Sequence, residues 1–453
     1  MKQLSDKTVT NYLDDDYALY GMYTLEQRAI PSVIDGFKPT QRKIIFISDK
    51  VWRTGNEKPL KIFQLGGRIA ADAHYHHGDG SLNGAIIGMA QTFKNALPLL
   101  EDLGQFGSIR SPEAGAPRYI STKLTKNFRL LYKDFELLEN QIEDGDEIEP
   151  KFFLPIIPAV LLNGSSGIAV GFATNILNRN PIDLIDSCVR VLDGKPVGQL
   201  LPYWTAYHGQ VTHVENSNQY VMRGIYRVVN TTTVEITELP PSMTYQKYEI
   251  YLNSLLEKGI IYAYDDNSAN SINYTLKFSR SVLTKLITTK RLDQTLKMIE
   301  TETENLTCLN EHGKLIEFNS IPEVVEYFTK FRLTFYAKRK AHLINKYEEE
   351  IVLMSNRAKF IKYIIEGTLK INNRPKSDII VDLIALAFDK IDGTYSYLLT
   401  MPIHSLTKET YEQLLKDVIQ RNLELVAMKK RDTTEMYRED LAKLKQTLKT
   451  IAK

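Results

Sequence analysis

The chain has 453 residues, of which 43% are hydrophobic and 25% are charged, and its net charge is +2 at pH 7. This globular composition fits two to four domains and excludes a disordered chain, and no apolar run reaches membrane-spanning length. The two cysteines, Cys188 and Cys308, lack CxxC spacing and are too few for a disulfide scaffold. Because the N-terminus also lacks a signal-peptide core, we expect an intracellular, cytoplasmic protein.

The N-terminal part predicts a helical arm followed by a basic loop. Residues 1–25 form the arm, and we interpret Asp14–Asp16 as a solvated helix start, because adjacent carboxylates do not converge easily on one ion. Residues 28–43 predict a loop that leads into a helix with Pro39 in its first turn. The loop and helix carry four cations: Arg28, Lys38, Arg42 and Lys43. Charge alone allows two interpretations: the cations bind phosphate near a helix N-terminus, or they form a solvated basic face.

Residues 60–93 predict two helices joined by a turn. Apolar residues recur at helical spacing on both sides, and the second stripe runs from Leu82 to Phe93. A helix-turn-helix of this kind can place its second helix in a DNA major groove. The turn carries three histidines: His74, His76 and His77. Neighbouring histidines on a turn point in different directions and no fourth ligand is evident, so we expect hydrogen bonds to phosphate or backbone and no metal site.

An arginine and a tyrosine stand side by side in the next loop. Arg118 and Tyr119 follow the stretch Gly104–Ser108 and precede a basic helical segment. Tyrosine is a poor nucleophile at neutral pH because its ordinary pKa is near 10. A cation beside it favours the phenolate and offsets charge on an attacked phosphate. The pair suits a phosphodiester-cleaving tyrosine, although 25 tyrosines make a chance Arg-Tyr pair expected.

The next stretch combines an acidic patch with a glycine-rich segment. Residues 134–150 predict an exposed acidic loop. Residues 161–171, LLNGSSGIAVG, predict a short apolar strand, a Gly/Ser turn and a second strand, in which glycine allows close backbone approach. The segment does not match a phosphate-cradling loop, because GxxxxGK[ST] is absent.

The second half predicts an α+β region followed by a long helical arm. Residues 200–320 predict alternating strands and two helices, and no residue pattern there indicates a catalytic site. From 322 to 367 apolar residues recur every seven positions, which is a coiled-coil pattern, and a second long helix from 408 breaks phase around 429–432. The piece between them, 370–407, has apolar residues that suggest dimerisation at its tip; an intramolecular hairpin is the alternative.

Four motifs together resemble the breakage-reunion part of type IIA DNA topoisomerases, in the order and spacing of that family. They are residues 28–43, Tyr75–Asp79, Pro117–Tyr119 and Asn163–Gly171. The Tyr-His-His-Gly pattern is closer to the eukaryotic and phage-type enzymes. Because the chain stops after the return helix and contains no ATPase or Toprim segment, it looks like the short cleavage subunit of a split T4-type phage enzyme.

The resemblance implies an α+β multidomain fold with five parts. They are an N-terminal helical arm (1–25), a winged-helix, helix-turn-helix cleavage domain (26–152), an α/β tower domain (153–320), a long antiparallel coiled-coil arm (321–368 and 408–453) and a helical C-gate knob (369–407).

The resemblance also assigns roles by matching position. Tyr119 is similar to the nucleophile, and Arg118 to its neighbouring catalytic cation. The residues matched to DNA contacts are Arg28, Lys38, Arg42, Lys43 and His77. Ile168 matches the isoleucine that wedges between base pairs and bends the duplex.

The implied activity is that of the cleaving and rejoining subunit of an ATP-dependent type II DNA topoisomerase. The implied partners are double-stranded DNA, a second copy bound through the C-gate and winged-helix domains, and a large ATPase/Toprim subunit that holds Mg²⁺ and ATP; no membrane is involved. The alternative is a non-catalytic winged-helix DNA-binding dimer scaffold in which Tyr119 is structural. A weaker alternative, a tyrosine recombinase, would need its tyrosine near the C-terminus.

Overall fold

The computed structural model describes residues 9–55, 57–269 and 271–451, so the first eight residues of the predicted N-terminal arm lie outside it. The chain divides into two compact units, Met1–Arg332 with Asp440–Lys453, and Leu333–Glu439. The fold is mixed α/β with one long helix, which confirms the predicted class at this level. Within the described ranges no helix is both long and apolar enough to cross a membrane.

The first part of the chain is mainly helical. Its elements are α1 (Val9–Asn11), a π-helical turn (Tyr12–Tyr17), α2 (Ala18–Thr24), a second π-helical turn (Leu25–Ala29), α3 (Pro39–Val51), β1 (Leu60–Lys61), α4 (Ile62–Asp72), α5 (Asp79–Ala90), β2 (Ser121–Thr122) and α6 (Lys126–Leu131). Pro39 opens α3, and α4 and α5 form the predicted helix-turn-helix. Leu82, Ile86 and Met89 of α5 are buried, so the predicted apolar stripe faces the core.

The next part corrects two predictions. Its elements are β3 (Tyr132–Lys133), a 3₁₀ turn (Phe135–Leu137), β4 (Asn140–Glu143), β5 (Asp146–Pro150), β6 (Leu154–Pro155), α7 (Ala159–Asn163), β7 (Ser165–Ile168), β8 (Ala173–Ile176) and α8 (Pro181–Leu192). The acidic patch is a β-hairpin of β4 and β5 rather than a loop. The apolar run at 160–162 is helical rather than extended, because a short run buried on every side carries no period that separates helix from strand.

The following part is the predicted α+β region. Its elements are β9 (Gln210–His213), β10 (Gln219–Arg223), β11 (Ile225–Val228), β12 (Thr233–Glu238), α9 (Tyr245–Glu257), β13 (Ala263–Asp266), β14 (Tyr274–Lys277), α10 (Arg280–Thr288), α11 (Leu292–Thr295), β15 (Ile299–Thr303), β16 (Leu306–Leu309) and β17 (Leu315–Phe318). A four-stranded sheet has the order β11-β12-β14-β13. Tyr274 and Leu276 alternate inward and pack with Tyr248 and Leu252 of α9, which explains the strict period of two along β14.

The remaining elements are helical. They are α12 (Ile321–Ile365), α13 (Lys376–Ala385), α14 (Ser396–Leu399), a 3₁₀ turn (Ile403–Ser405), α15 (Lys408–Lys430) and α16 (Thr433–Ile451). The predicted break near 429–432 falls between α15 and α16. In the unit Leu333–Glu439, ion pairs join α12 to α15 at Glu348–Lys429 (2.7 Å) and Glu350–Arg421 (3.0 Å), so these helices run antiparallel.

Candidate functional site

Tyr119 lies in a turn that the backbone braces. The turn leads into β2, which pairs antiparallel with the distant β1. Just after β1, the amide of Ile62 donates to the carbonyl of Ile120 at 3.2 Å. The Lys61 ammonium donates to the carbonyl of Tyr119 itself at 2.8 Å. The Ile120 side chain is buried, whereas Tyr119 is 72% exposed. The turn is therefore held from inside while its phenol faces outward.

The loop before this turn folds back on itself. Gly107 has φ of 80° and sits so close to the carbonyl oxygen of Pro112 that a Cβ would lie 2.6 Å from it. The amide of Gly115 donates to the carbonyl of Gln105 at 2.8 Å. Because glycine alone fits the first position without strain, the Gly- and Ser-rich composition follows from the path of the loop.

Arg118 stands beside the tyrosine ring. Its guanidinium carbon lies 5.8 Å from the ring centroid of Tyr119, and both side chains are exposed. The cation and the phenol are thus adjacent in space as well as in sequence. This arrangement can present a hydroxyl and a positive charge to one phosphate from outside.

Three of the other predicted residues share one cavity. Arg28, Lys38 and His77 line a concave space of about 810 Å³. The Lys38 ammonium donates to the carbonyl of Ser166 at 2.7 Å, and burial lowers the pKa of Lys38. Arg118 and Tyr119 do not line this cavity, so the structure separates the predicted nucleophile from these cations.

Arg42 lies elsewhere, in the protein interior. It is 7% exposed, and its Nε and Nη2 atoms donate to the two oxygens of the buried Asp35 carboxylate at 2.8 and 3.1 Å. Burial, the largest single influence, would lower the pKa of Arg42, but the charge and hydrogen bonds of Asp35 together with the charge of Glu149 raise it overall. Asp35 also accepts from the amides of Phe37 and Phe153, both at 3.0 Å. In this conformation Arg42 holds the basic loop in place and does not offer its guanidinium to a ligand.

The Lys43 ammonium also binds oxygen atoms of the protein itself. Its ammonium donates to the carbonyl of Ala73 at 2.6 Å and lies 3.0 Å from the carboxylate of Glu149. Burial raises the pKa of Glu149, and the charge of Lys43 opposes that rise. Of the four cations in residues 28–43, Arg28 and Lys38 line the cavity described above, whereas Arg42 and Lys43 line a second concave space beside the histidine turn.

Ile168 is the most exposed large apolar side chain of the glycine-rich hairpin. It ends β7 opposite Ala173 of β8 and is 90% exposed. The preceding Gly167 packs against the loop at residue 29, where a Cβ would lie 2.2 Å from the carbonyl oxygen of Ala29. Glycine is required there for close backbone approach, and the hairpin is thereby fixed with Ile168 projecting outward.

Sequence reasoning missed two residues that shape the site. They are Lys61, which lies 58 positions before Tyr119, and Asp35, which anchors Arg42 and two amides. A cation before a helix start could have drawn attention to Lys61. No local signal pairs Lys61 with Tyr119 or Asp35 with Phe153, because these contacts join segments 58 and 118 positions apart.

The comparisons with known proteins define the class. The profile of the family described as the A-type chain of DNA gyrase/topoisomerase IV matches residues 28–445, and this protein belongs to that family. This confirms the resemblance carried by the four motifs. Membership also favours a DNA-cleaving role over the non-catalytic scaffold.

Two relatives match nearly the whole chain but differ in how much of their own length is matched. The chain is 33% identical over 450 residues to the DNA topoisomerase medium subunit of Enterobacteria phage T4, covering 98% of this chain and 100% of that protein. It is 33% identical over 463 residues to the mitochondrial DNA topoisomerase 2 of Dictyostelium discoideum, covering 98% of this chain but only 35% of that protein.

A solved structure agrees with these sequences. The DNA-binding, cleavage and re-ligation domain of Plasmodium falciparum topoisomerase II superposes with a TM-score of 0.88 at 32% identity, covering 97% of this chain and 64% of that chain. The chain thus spans about a third of the length of the long topoisomerase 2 relatives and the full length of the phage protein.

Proposed function

We propose that this chain is the DNA-cleaving and rejoining subunit of an ATP-dependent type II DNA topoisomerase. The observation that carries the proposal is the exposed Tyr119 beside Arg118 on a braced turn, in a member of the gyrase/topoisomerase IV family. Two copies each cut one strand, a second duplex passes through the break, and both strands are resealed. The covalent bond to tyrosine preserves the energy of the broken phosphodiester.

The chemistry requires only a few groups from this chain. The Tyr119 oxygen attacks a DNA phosphorus in line, the bond from phosphorus to one DNA oxygen breaks, and that oxygen leaves as a hydroxyl. Arg118 stabilises the negative charge that develops on the phosphate. The Lys61 contact to the Tyr119 carbonyl supports the turn while the bond is made and broken.

The cavity cations hold the duplex next to the break. We assign contacts with the phosphates that flank the break to Arg28, Lys38 and His77, which line an open concave surface apart from Tyr119. Arg42 and Lys43 act from behind that surface, since their buried partners keep the loop and helix α3 in place. Their contribution to DNA binding is therefore indirect.

Magnesium does not fit the one set of donors that the described residues bring together. Among residues 9–55, 57–269 and 271–451, the one grouping that could hold a metal ion is His74, His76 and Glu143. Mg²⁺ prefers an octahedral shell of oxygen atoms, which two imidazoles do not supply. We therefore assign the carboxylates that hold Mg²⁺ to a large ATPase/Toprim subunit, which also binds ATP.

The finer architecture follows the same proposal. Helices α4 and α5 belong to a winged-helix domain, the sheets of 210–318 to a tower domain, and α12 with α15 and α16 to the coiled-coil arm. The knob at 369–407 is the C-gate through which two copies join. We place the assembly in the cytoplasm, that of an infected host if the protein is phage-encoded.

The direct test is covalent capture of DNA. The chain is assembled with a large ATPase/Toprim subunit, Mg²⁺ and duplex DNA, and the reaction is stopped with a denaturing detergent. We expect this chain to remain attached to the DNA ends, because only a covalent bond survives denaturation. A complex that binds DNA but leaves no attached protein would instead establish the non-catalytic scaffold.

Removal of the apolar wedge should reduce DNA bending. Because Ile168 is 90% exposed, Ile168→Ala leaves the fold intact but removes the side chain that would unstack a base step. We expect loss of the bend, measured by energy transfer between dyes at the duplex ends, and cleavage lower by ~10-fold or more.

The matched control is Ile250→Ala, which truncates another exposed isoleucine on α9 and should leave bending and cleavage unchanged. If Ile168→Ala bends DNA as well as the unaltered protein does, Ile168 is not the wedge.

A further inference from the structure

The acidic hairpin meets the histidine turn on the surface of the first unit. The His74 Nε2 atom lies 3.2 Å from Oδ2 of Asp146, and the His76 Nε2 atom lies 3.3 Å from Oε1 of Glu143. The potential ligand atoms of His74, His76 and Glu143 all lie within 4.8 Å of one another. Two imidazoles and the Glu143 carboxylate thus converge from segments that are far apart in sequence, and Asp146 lies beside His74.

Each segment is shaped so that its two donors face the same side. His74 and His76 flank the buried Tyr75 on the turn, and their ring centroids lie 6.3 Å apart. On the hairpin, Glu143 and Asp146 are the last cross-strand pair before the Asp144–Gly145 turn. A cross-strand pair projects to one face of the hairpin.

We propose that His74, His76 and Glu143 form a binding site for a divalent transition-metal ion of the Zn²⁺ type, with a fourth position open to water and Asp146 as a neighbouring carboxylate. Imidazole nitrogen and carboxylate oxygen are ligands of Zn²⁺ at roughly 2.0–2.2 Å, and neighbouring ligands of a tetrahedral ion lie about 3.3 Å apart. The two nitrogen–oxygen separations of 3.2 and 3.3 Å have that spacing. The proposal differs from the expectation from sequence, which considered no carboxylate beside the histidines.

The neighbouring lysine leaves the site available. The Lys43 ammonium lies 3.8 Å from Glu143 but 3.0 Å from Glu149, so its main acidic partner is Glu149. Side-chain exposure is 36% for Glu143, 69% for His76 and 73% for Asp146, which gives an ion access from solvent. A bound ion would tie the turn that carries His77 to the tip of the β4–β5 hairpin.

The test uses the untagged full chain, stripped of metal with a chelator and titrated with Zn²⁺ by calorimetry and with Co²⁺ by visible absorption. We expect one equivalent bound per chain, the ligand-field absorption of low-symmetry Co²⁺, and a Zn²⁺-dependent rise in unfolding temperature. Glu143→Gln and His76→Gln should each weaken binding at least ~10-fold and abolish the rise in unfolding temperature. Mg²⁺ at millimolar concentration should not displace Zn²⁺, because nitrogen donors disfavour it.

Matched controls separate the site from general surface binding. Glu139→Gln changes an exposed carboxylate just before the same hairpin, and His208→Gln changes an exposed histidine elsewhere in the first unit. Both should bind Zn²⁺ as the unaltered chain does. The proposal is overturned if no saturable binding occurs, if Glu143→Gln and His76→Gln bind as tightly as the controls, or if Mg²⁺ displaces Zn²⁺. Each variant's metal-free unfolding temperature verifies that it is folded.

Discussion

Replacing Tyr119 by phenylalanine is expected to abolish covalent capture of DNA. The change removes one oxygen, and without it no bond to phosphorus can form. We expect the yield of protein-linked DNA, measured after detergent denaturation of the assembled complex, to fall at least about a thousandfold. Because Tyr119 is 72% exposed and no described residue hydrogen-bonds to its hydroxyl, the free energy of unfolding should change by less than about 0.5 kcal/mol.

The matched control is Tyr262→Phe, which removes the hydroxyl of a tyrosine that is 64% exposed. This variant should capture DNA normally, and both variants should bind duplex DNA with the affinity of the unaltered chain. Continued covalent capture by Tyr119→Phe would show that another nucleophile makes the bond. A loss in both variants would point to a general defect in assembly.

Replacing Arg42 by methionine is expected to destabilise the fold rather than remove a phosphate contact. It leaves the Asp35 carboxylate, which is 0% exposed, without its charge partner. Removing one member of a buried ion pair costs about 3–5 kcal/mol, because the remaining charge stays buried. Urea unfolding followed by tryptophan fluorescence measures this loss, since Trp52 is buried at the end of α3.

Lys50→Met provides the control on the same helix. Lys50 is exposed and its ammonium lies 4.0 Å from the ring centroid of Phe46, so its loss should cost no more than about 1 kcal/mol. If Arg42 were a direct phosphate ligand, Arg42→Met would keep its stability and lower the slope of DNA affinity against salt by about one unit. That result would contradict the buried role.

Much of the local structure could be predicted because it follows from short-range patterns in the sequence. Pro39 opens α3, the period-two run at 272–278 contains β14, and the heptads after 322 form a 45-residue helix. The order and spacing of the four motifs also identified the family before any contact was known. Predictions failed where a segment had no period of its own, as at 160–162, or where acidic composition was taken for a loop although the chain pairs as β4 and β5.

The environment of each functional candidate could not be predicted in the same way. Arg28, Lys38, Arg42 and Lys43 look alike along the sequence, yet the first two have no carboxylate partner among the described ion pairs, whereas Arg42 and Lys43 pair with the buried carboxylates of Asp35 and Glu149. Lys43 meets Glu149 and Lys38 meets Ser166, each more than a hundred positions away, and the Asp35 carboxylate that holds Arg42 also accepts from the distant amide of Phe153.

By itself the amino-acid sequence determined the helices and strands with a clear period, the family, and the Arg-Tyr pair on which the proposed chemistry depends. The tertiary structure decided which cations are exposed, that Lys61 braces the Tyr119 turn, that Ile168 projects outward, and that two carboxylates stand beside His74 and His76. The physical reason is the distance along the chain over which each effect acts. Backbone periodicity acts over a few residues, whereas the burial and charge partners of a side chain are set by segments that only the folded chain brings together.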